Sequence, residues 1–415
     1  MPTYCSIALR SIEELQDELK YLRKVPAVTA RTRQYYVDGY FEGGRWSDEA
    51  WELVRQILAV SRLSKAAFSN FGEGMPPNTL GNFVTQLRLL HTPLICVSDA
   101  LQFSGQSIRE LEIAYLEVGN ANATQLADIL ALSRLEKLVL REVTLIEDAP
   151  SILAKGLAAC KGSLKSLNMN DFACDVRDQL NTIGDSDGSE TVMAGLVALL
   201  SGDDCCLTDL ELYKTRFGDK SMIALASALR LNRSIQTLTI VVYGDFGDTS
   251  IPALASALSQ HCSLRRLEIG CRFVTERGWT TLFVDGVLRS QVLEQLKFIW
   301  YAGDLDFMAS ALASPFNRND HLRSIDTTTD SRRANPVAWR TIECFLDLNS
   351  WRARVALLSK QSRELPLSLW PLVMERLQHI KFSLSYRLDS ERPTDEQKAS
   401  RLFFTLREAA SVIFP

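Results

Sequence analysis

One spacing constrains this chain more than any other feature. An apolar template, L-x-x-L-x-L, begins at Ile108-Leu111-Ile113, Leu135-Leu138-Leu140 and Leu164-Leu167-Met169. It continues at Leu207-Leu210-Leu212, Ile235-Leu238-Ile240, Leu264-Leu267-Ile269 and Leu293-Leu296-Phe298. A weaker copy, Val84-Leu87-Leu89, precedes these, and Leu322-Ile325 follows. From Ile108 the start-to-start intervals are 27, 29, 43, 28, 29, 29 and 29 residues. Random apolar clustering does not hold 28–29 four times in succession, so the chain reads as an array of repeats.

Each unit has a physical reading. The L-x-L residues alternate with period two, which predicts a short strand with one buried face. About five residues later another apolar side chain recurs, at Val118, Leu145, Phe217 and Val274. The period then turns helical: Leu126 with Leu130, Leu153 with Leu157, Leu225 with Leu229, Leu254 with Leu258. Gly218-Asp219 and Gly247-Asp248 stand where the chain turns into the helix, and Pro252 falls in a first helical turn. Such a unit cannot bury its apolar faces alone; stacked in parallel, the units share one core. Helices are wider than the strand spacing of about 4.8 Å. The stack is therefore expected to curve, with about eight or nine parallel strands inside the bend.

This pattern resembles the leucine-rich-repeat family, in its ribonuclease-inhibitor-like class, over roughly residues 84–330. The resemblance implies an α/β fold: a curved right-handed solenoid with a parallel sheet on the concave side and helices on the convex side. In one respect the chain departs from that family, which usually has Asn or Cys at the ninth repeat position. Here Leu116, Val143, Phe172, Thr215, Tyr243, Arg272 and Tyr301 stand there, so the turns are expected to be looser or differently packed, with Tyr243 and Tyr301 more buried than the strand residues before them.

Three parts are expected. Residues 1–45 read as a helical or irregular segment, with Ser11 and Glu14 as a capping box before Ile12, Leu15, Leu19 and Leu22. Residues 46–335 read as the array, with Trp46, Trp51 and a helix over 48–60 sealing its first repeat and Leu63-Ala66-Phe68 a decayed copy. The 43-residue interval places a loop insertion near 175–190. After Asn335 the period is read as stopping, and residues 336–415 as a helical C-terminal cap.

A formal charge of −4 and no long basic run give no reason to expect a nucleic-acid partner. Met1 to Arg10 lacks the basic start and apolar core of a secretory signal, and no stretch has the roughly 18 uninterrupted apolar residues of a membrane span. Nine scattered cysteines without a C-x-x-C pair fit reduced thiols, hence a cytoplasmic or nuclear setting. The four histidines are far apart, and no phosphate-binding, metalloprotease or nucleophile-elbow motif occurs. No cofactor or metal is expected.

The functional expectation is a non-enzymatic scaffold, monomeric by itself, that binds a protein through the concave strands. The side chains expected to face a partner are Tyr115, Arg141, Glu211, Tyr213, Val241, Glu268, Ile299 and Trp300: aromatic and aliphatic anchors among charges. One alternative is an F-box-type ubiquitin-ligase adaptor built on Trp51–Phe68, which lacks the leading Leu-Pro usual in such modules. Another is a GTPase-activating protein of the nuclear-transport type, a reading that casts Arg141 as the acting arginine. Those proteins usually carry an acidic tail, and this chain ends in a mixed one.

Overall fold

A computed structural model describes residues 5–9, 11–24, 33–38, 47–61, 65–70, 76, 84–92, 94, 108–132, 134–160, 162–174, 187–243, 246–271, 273–299, 319, 321–327, 346 and 349. Its centre is one 13-stranded sheet in which every pairing is parallel. In chain order the strands are β1 (Cys5–Leu9), β2 (Arg33–Asp38), β3 (Lys65–Ser69), β4 (Gln86–Leu90), β5 (Glu110–Val118), β6 (Lys137–Leu145) and β7 (Ser166–Asn170). They continue as β8 (Ala173–Cys174), β9 (Asp209–Thr215), β10 (Thr237–Val242), β11 (Arg266–Cys271), β12 (Gln295–Ile299) and β13 (Ser324–Thr327). Neighbours in space are neighbours in sequence, apart from the two-residue β8, which pairs with the end of β6 while β7 pairs directly with β9.

Helices alternate with the strands: α1 (Ile12–Leu22), α2 (Asp48–Ser61), α3 (Asn120–Leu132), α4 (Ala149–Ala159), α5 (Asp187–Leu200), α6 (Asp219–Leu231), α7 (Ile251–Gln260) and α8 (Glu276–Thr281), the last running on as a π-helical turn, Leu282–Val287. Successive helices pack on one another, α1 on α2 and α3 through α8 in order, which places them in one layer. The register stacks Leu111, Leu138, Leu167, Leu210, Leu238, Leu267 and Leu296 in one row and Ile113, Leu140, Met169, Leu212, Ile240, Ile269 and Phe298 in the next. All are 0–1 % exposed and belong to a single core with the helix leucines. Each such side chain contributes about 1.5–3 kcal/mol of burial.

The sheet extends further than the spacing suggested. Strands β1 and β2 lie in the segment expected to be helical or irregular, and β3 is the weak copy at Ala66 and Phe68, both buried. Helix α2 consequently packs within the array, Trp51 buried, with α1 beside it, rather than sealing an end. Ser11 caps α1 by accepting from the Glu14 N–H at 3.2 Å. The expected insertion is shorter at its far end, because α5 already begins at Asp187; residues 175–186 and Trp46 lie outside the described residues.

Two hydrogen-bond ladders tie repeat to repeat. At the helix starts, the Asp219 carboxylate accepts from Gly247 N–H and Ser250 Oγ of the next unit, at 2.9 and 2.6 Å. Asp248 accepts likewise from Thr275 N–H at 2.8 Å. At the opposite edge, where each helix turns back to a strand, Asn232, His261, Ser290 and Asn319 occupy one buried position every 29 residues. Asn319 Oδ1 accepts from Leu322 N–H at 2.8 Å, and its Nδ2 donates to Leu288 O at 3.0 Å in the preceding unit. Asn232 does the same with Ile235 N–H and Leu200 O. Inward-turned amides thus stand at this edge of the stack, where each helix returns to a strand. Asn349 extends this ladder one step past Asn335, where the apolar period was read as ending. The expected helical cap otherwise lies outside the described residues.

Candidate functional site

A strand has two faces, and the described helices pack on one of them. On the far face, three side chains per strand stand in register. The middle row runs Arg88, Glu112, Val139, Asn168, Glu211, Thr239, Glu268, Lys297, Asp326. The row toward the strand ends runs Leu90, Ala114, Arg141, Asn170, Tyr213, Val241, Gly270, Ile299. The middle row is mostly polar because it takes no part in the helix-side core.

Charges on this face pair across strands. Glu112 Oε1 lies 3.0 Å from Arg88 Nε and 3.6 Å from Arg141 Nη2, and Glu268 meets Lys297 at 2.9 Å. Asn168 Nδ2 donates to Glu211 at 2.6 Å. Burial holds the Glu211 carboxyl above the usual range, Glu268 adds to the effect, and Arg141, Lys137 and Lys297 counter it. The side-chain hydrogen bond from Lys297 to Glu268 raises the lysine in turn.

Of the residues expected to face a partner, Arg141, Glu211, Tyr213 and Glu268 are half-buried on this face. Val241 and Ile299 are corrections: both stand on the far face by register, yet they are 0 % and 7 % exposed. Val241 is flanked by Tyr213 and Gly270, and the bare Gly270 lets Ile299 close in; a Cβ on that glycine would lie 2.8 Å from Ile299 Cβ. Trp300 lies outside the described residues.

Tyr115 belongs to a different feature, which the apolar pattern does not reveal. Residues Asn70, His91, Tyr115, Glu142, Asp171 and Lys214 directly follow the last far-face position in six successive main-path strands and have φ between 48° and 59°. This left-handed conformation suits Asn, Asp and His but costs the other side chains roughly 1–2 kcal/mol each. The ladder sets these side chains on a rim, where the His91 and Tyr115 rings stack at 4.9 Å. It ends at β10: the register shifts there, Val242 pairs with Thr215, and the extra residue is dropped. Val242 and Cys271 then take the inward place at 0 % and 1 % exposure, and Tyr243, expected to be more buried, is 45 % exposed. Val143, Phe172 and Thr215 turn inward and Leu116 is half-buried against the core; Arg272 and Tyr301 lie outside the described residues.

No group of three or more His, Cys, Asp or Glu side chains among the described residues could hold a metal ion, and no described helix is long and apolar enough to cross a membrane. No protein-family model and no curated protein matches the chain.

Proposed function

We propose that this chain is a leucine-rich-repeat scaffold of the ribonuclease-inhibitor-like class, which holds a protein partner against the far face of its sheet and turns over no substrate. The α/β stack then curves as a right-handed horseshoe, the far face being concave, because helices about 10 Å wide stack beside strands about 4.8 Å apart. One observation carries the reading: this face holds the Glu211 carboxyl in half-buried surroundings that oppose its ionisation, beside the half-buried Tyr213. Stability alone favours a neutral residue there, and groups held at such a cost concentrate where proteins bind or react. An aromatic ring among charges is also the usual composition of an interface anchor.

The test is purification of the chain with its bound proteins from the native cell, followed by affinity measurement on the recovered partner. Tyr213→Ala is expected to weaken binding by about tenfold, or 1.4 kcal/mol, with the fold retained. Unchanged binding by that variant, with loss on substituting the helix surface at Ile223 and Leu231, overturns the reading. The GTPase-activating alternative asks Arg141 to be free to act on a nucleotide. Its guanidinium instead faces Glu112, which favours the scaffold.

A further inference from the structure

The charges of the far face are not evenly spread along the array. Over β3–β6 the face carries Lys65, Arg88, Lys137 and Arg141 against only Glu110 and Glu112. Over β9–β13 the balance reverses, with Asp209, Glu211, Glu268 and Asp326 against Arg266 and Lys297. The first region is also hollow: a recess of ≈ 210 Å³ is lined by Lys65, Arg88, Glu110, Glu112 and Lys137 among others.

Within that hollow the carboxylates are already committed. Glu110 accepts from Gln86 Nε2 at 2.6 Å. Glu112 turns a single oxygen to two guanidinium groups, at 3.0 and 3.6 Å. Neither approach is a well-aligned hydrogen bond: the buried Nε of Arg88 has only this oblique contact with Glu112, and the buried Nε of Arg141 makes no hydrogen bond. One carboxylate cannot neutralise two such groups. The arrangement calls for a second carboxylate.

We propose that the β3–β6 hollow binds an acidic peptide segment of the protein partner, with Lys137 attracting its carboxylates and one of them entering at the hollow's edge, between Arg88, which lines it, and Arg141, which stands beside it across Glu112. This rests on the far face being the docking surface and adds the chemistry of the partner. Arg88 and Arg141 then supply charge-assisted hydrogen bonds, the kind that discriminates carboxylates most strongly. Glu112 is an internal competitor that keeps the pair apart from solvent anions until a segment with several carboxylates arrives.

The experiment is fluorescence anisotropy of labelled hexaglutamate peptide with the full chain at low salt, with hexalysine and free glutamate as comparisons. Saturable hexaglutamate binding is expected, weakened about tenfold by Arg88→Gln or Arg141→Gln and unaffected by Lys297→Ala. Glu112→Gln is expected to tighten binding, a gain that misfolding cannot mimic. No saturable binding, equal binding of hexalysine, or a Glu112→Gln variant no tighter than the parent chain overturns the proposal. If the native partner loses affinity with Tyr213→Ala but not with Arg88→Gln, the scaffold reading stands and the acidic-segment proposal falls.

Discussion

The side-chain amide of Asn349 donates to the backbone carbonyl of Asn319 at 2.9 Å, and Asn319 itself donates to Leu288 O one repeat earlier. The same side chain therefore closes its own turn and fastens the turn before it. Asn319 is 3 % exposed, so its removal strands donors and acceptors that water cannot reach. Asn319→Ala is expected to destabilise the fold by about 2–4 kcal/mol, read from urea unfolding at unchanged slope. A midpoint within error of the parent chain contradicts this role.

His261 holds the same ladder position with a poorer fit. Its Nδ1 accepts from Leu264 N–H at 3.2 Å, while its buried Nε2 has no partner. Burial, with Arg233 adding to it, pushes its pKa down to about 4. A base whose folded pKa is depressed binds fewer protons when folded. Its contribution is therefore fully present above the unfolded value of about 6.5 and is lost as pH falls toward 4. The loss amounts to about 3 kcal/mol. His261→Asn, which restores the ladder's asparagine, is expected to flatten the stability profile between pH 6.5 and 4. Equal pH slopes for the two chains, from chemical unfolding at several pH values, count against it.

Leu238 is fully buried in the middle of the sheet, between Leu210 and Leu267. Leu238→Ala is expected to cost about 2–5 kcal/mol and to raise hydrogen exchange in β9 and β11 as well as β10. Exchange raised in β10 alone contradicts a shared core.

Gly195 of α5 faces Ala154 of α4 so closely that an added Cβ would lie 2.5 Å from the Ala154 backbone. Helix propensity by itself favours Gly→Ala by about 1 kcal/mol. Here the packing clash reverses the sign: Gly195→Ala is expected to destabilise by about 1–3 kcal/mol. A higher melting temperature for this variant shows that the helices have room to part.

Glu211→Gln removes a carboxylate whose ionisation burial opposes. Because its folded pKa is raised, its charge costs stability above the unfolded pKa, and the cost fades as pH falls and both states become protonated. The variant is expected to melt at or above the parent temperature at pH 7 and to bind the native partner more weakly. A lower melting temperature shows the charge to be structural.

The strands and the helix-side core were legible because burial on one face repeats every second residue and every 28–29 positions. The rim was not. Nothing in the pattern distinguishes Tyr115 or Lys214 from an ordinary strand residue, because the left-handed turn is imposed by the register of neighbouring strands. The same register decides that Tyr213 keeps part of its surface while Val241, one strand on, keeps none. Nor did spacing reveal β1 and β2, where only the pairs Ile7-x-Leu9 and Tyr35-x-Val37 stand at the template's places, too short a signal to be told from chance before the register aligns them with Ala66 and Phe68.

The sequence by itself determined the repeat, the apolar rows and the parallel alternation of strand and helix, because each depends on local period and on a face that must leave water. Only the tertiary structure decided which polar side chains meet. Arg88, Glu112 and Arg141 lie 24 to 53 positions apart and converge on one carboxylate oxygen through strand register alone. The shortfall of acceptors around those two arginines exists nowhere in the linear chain.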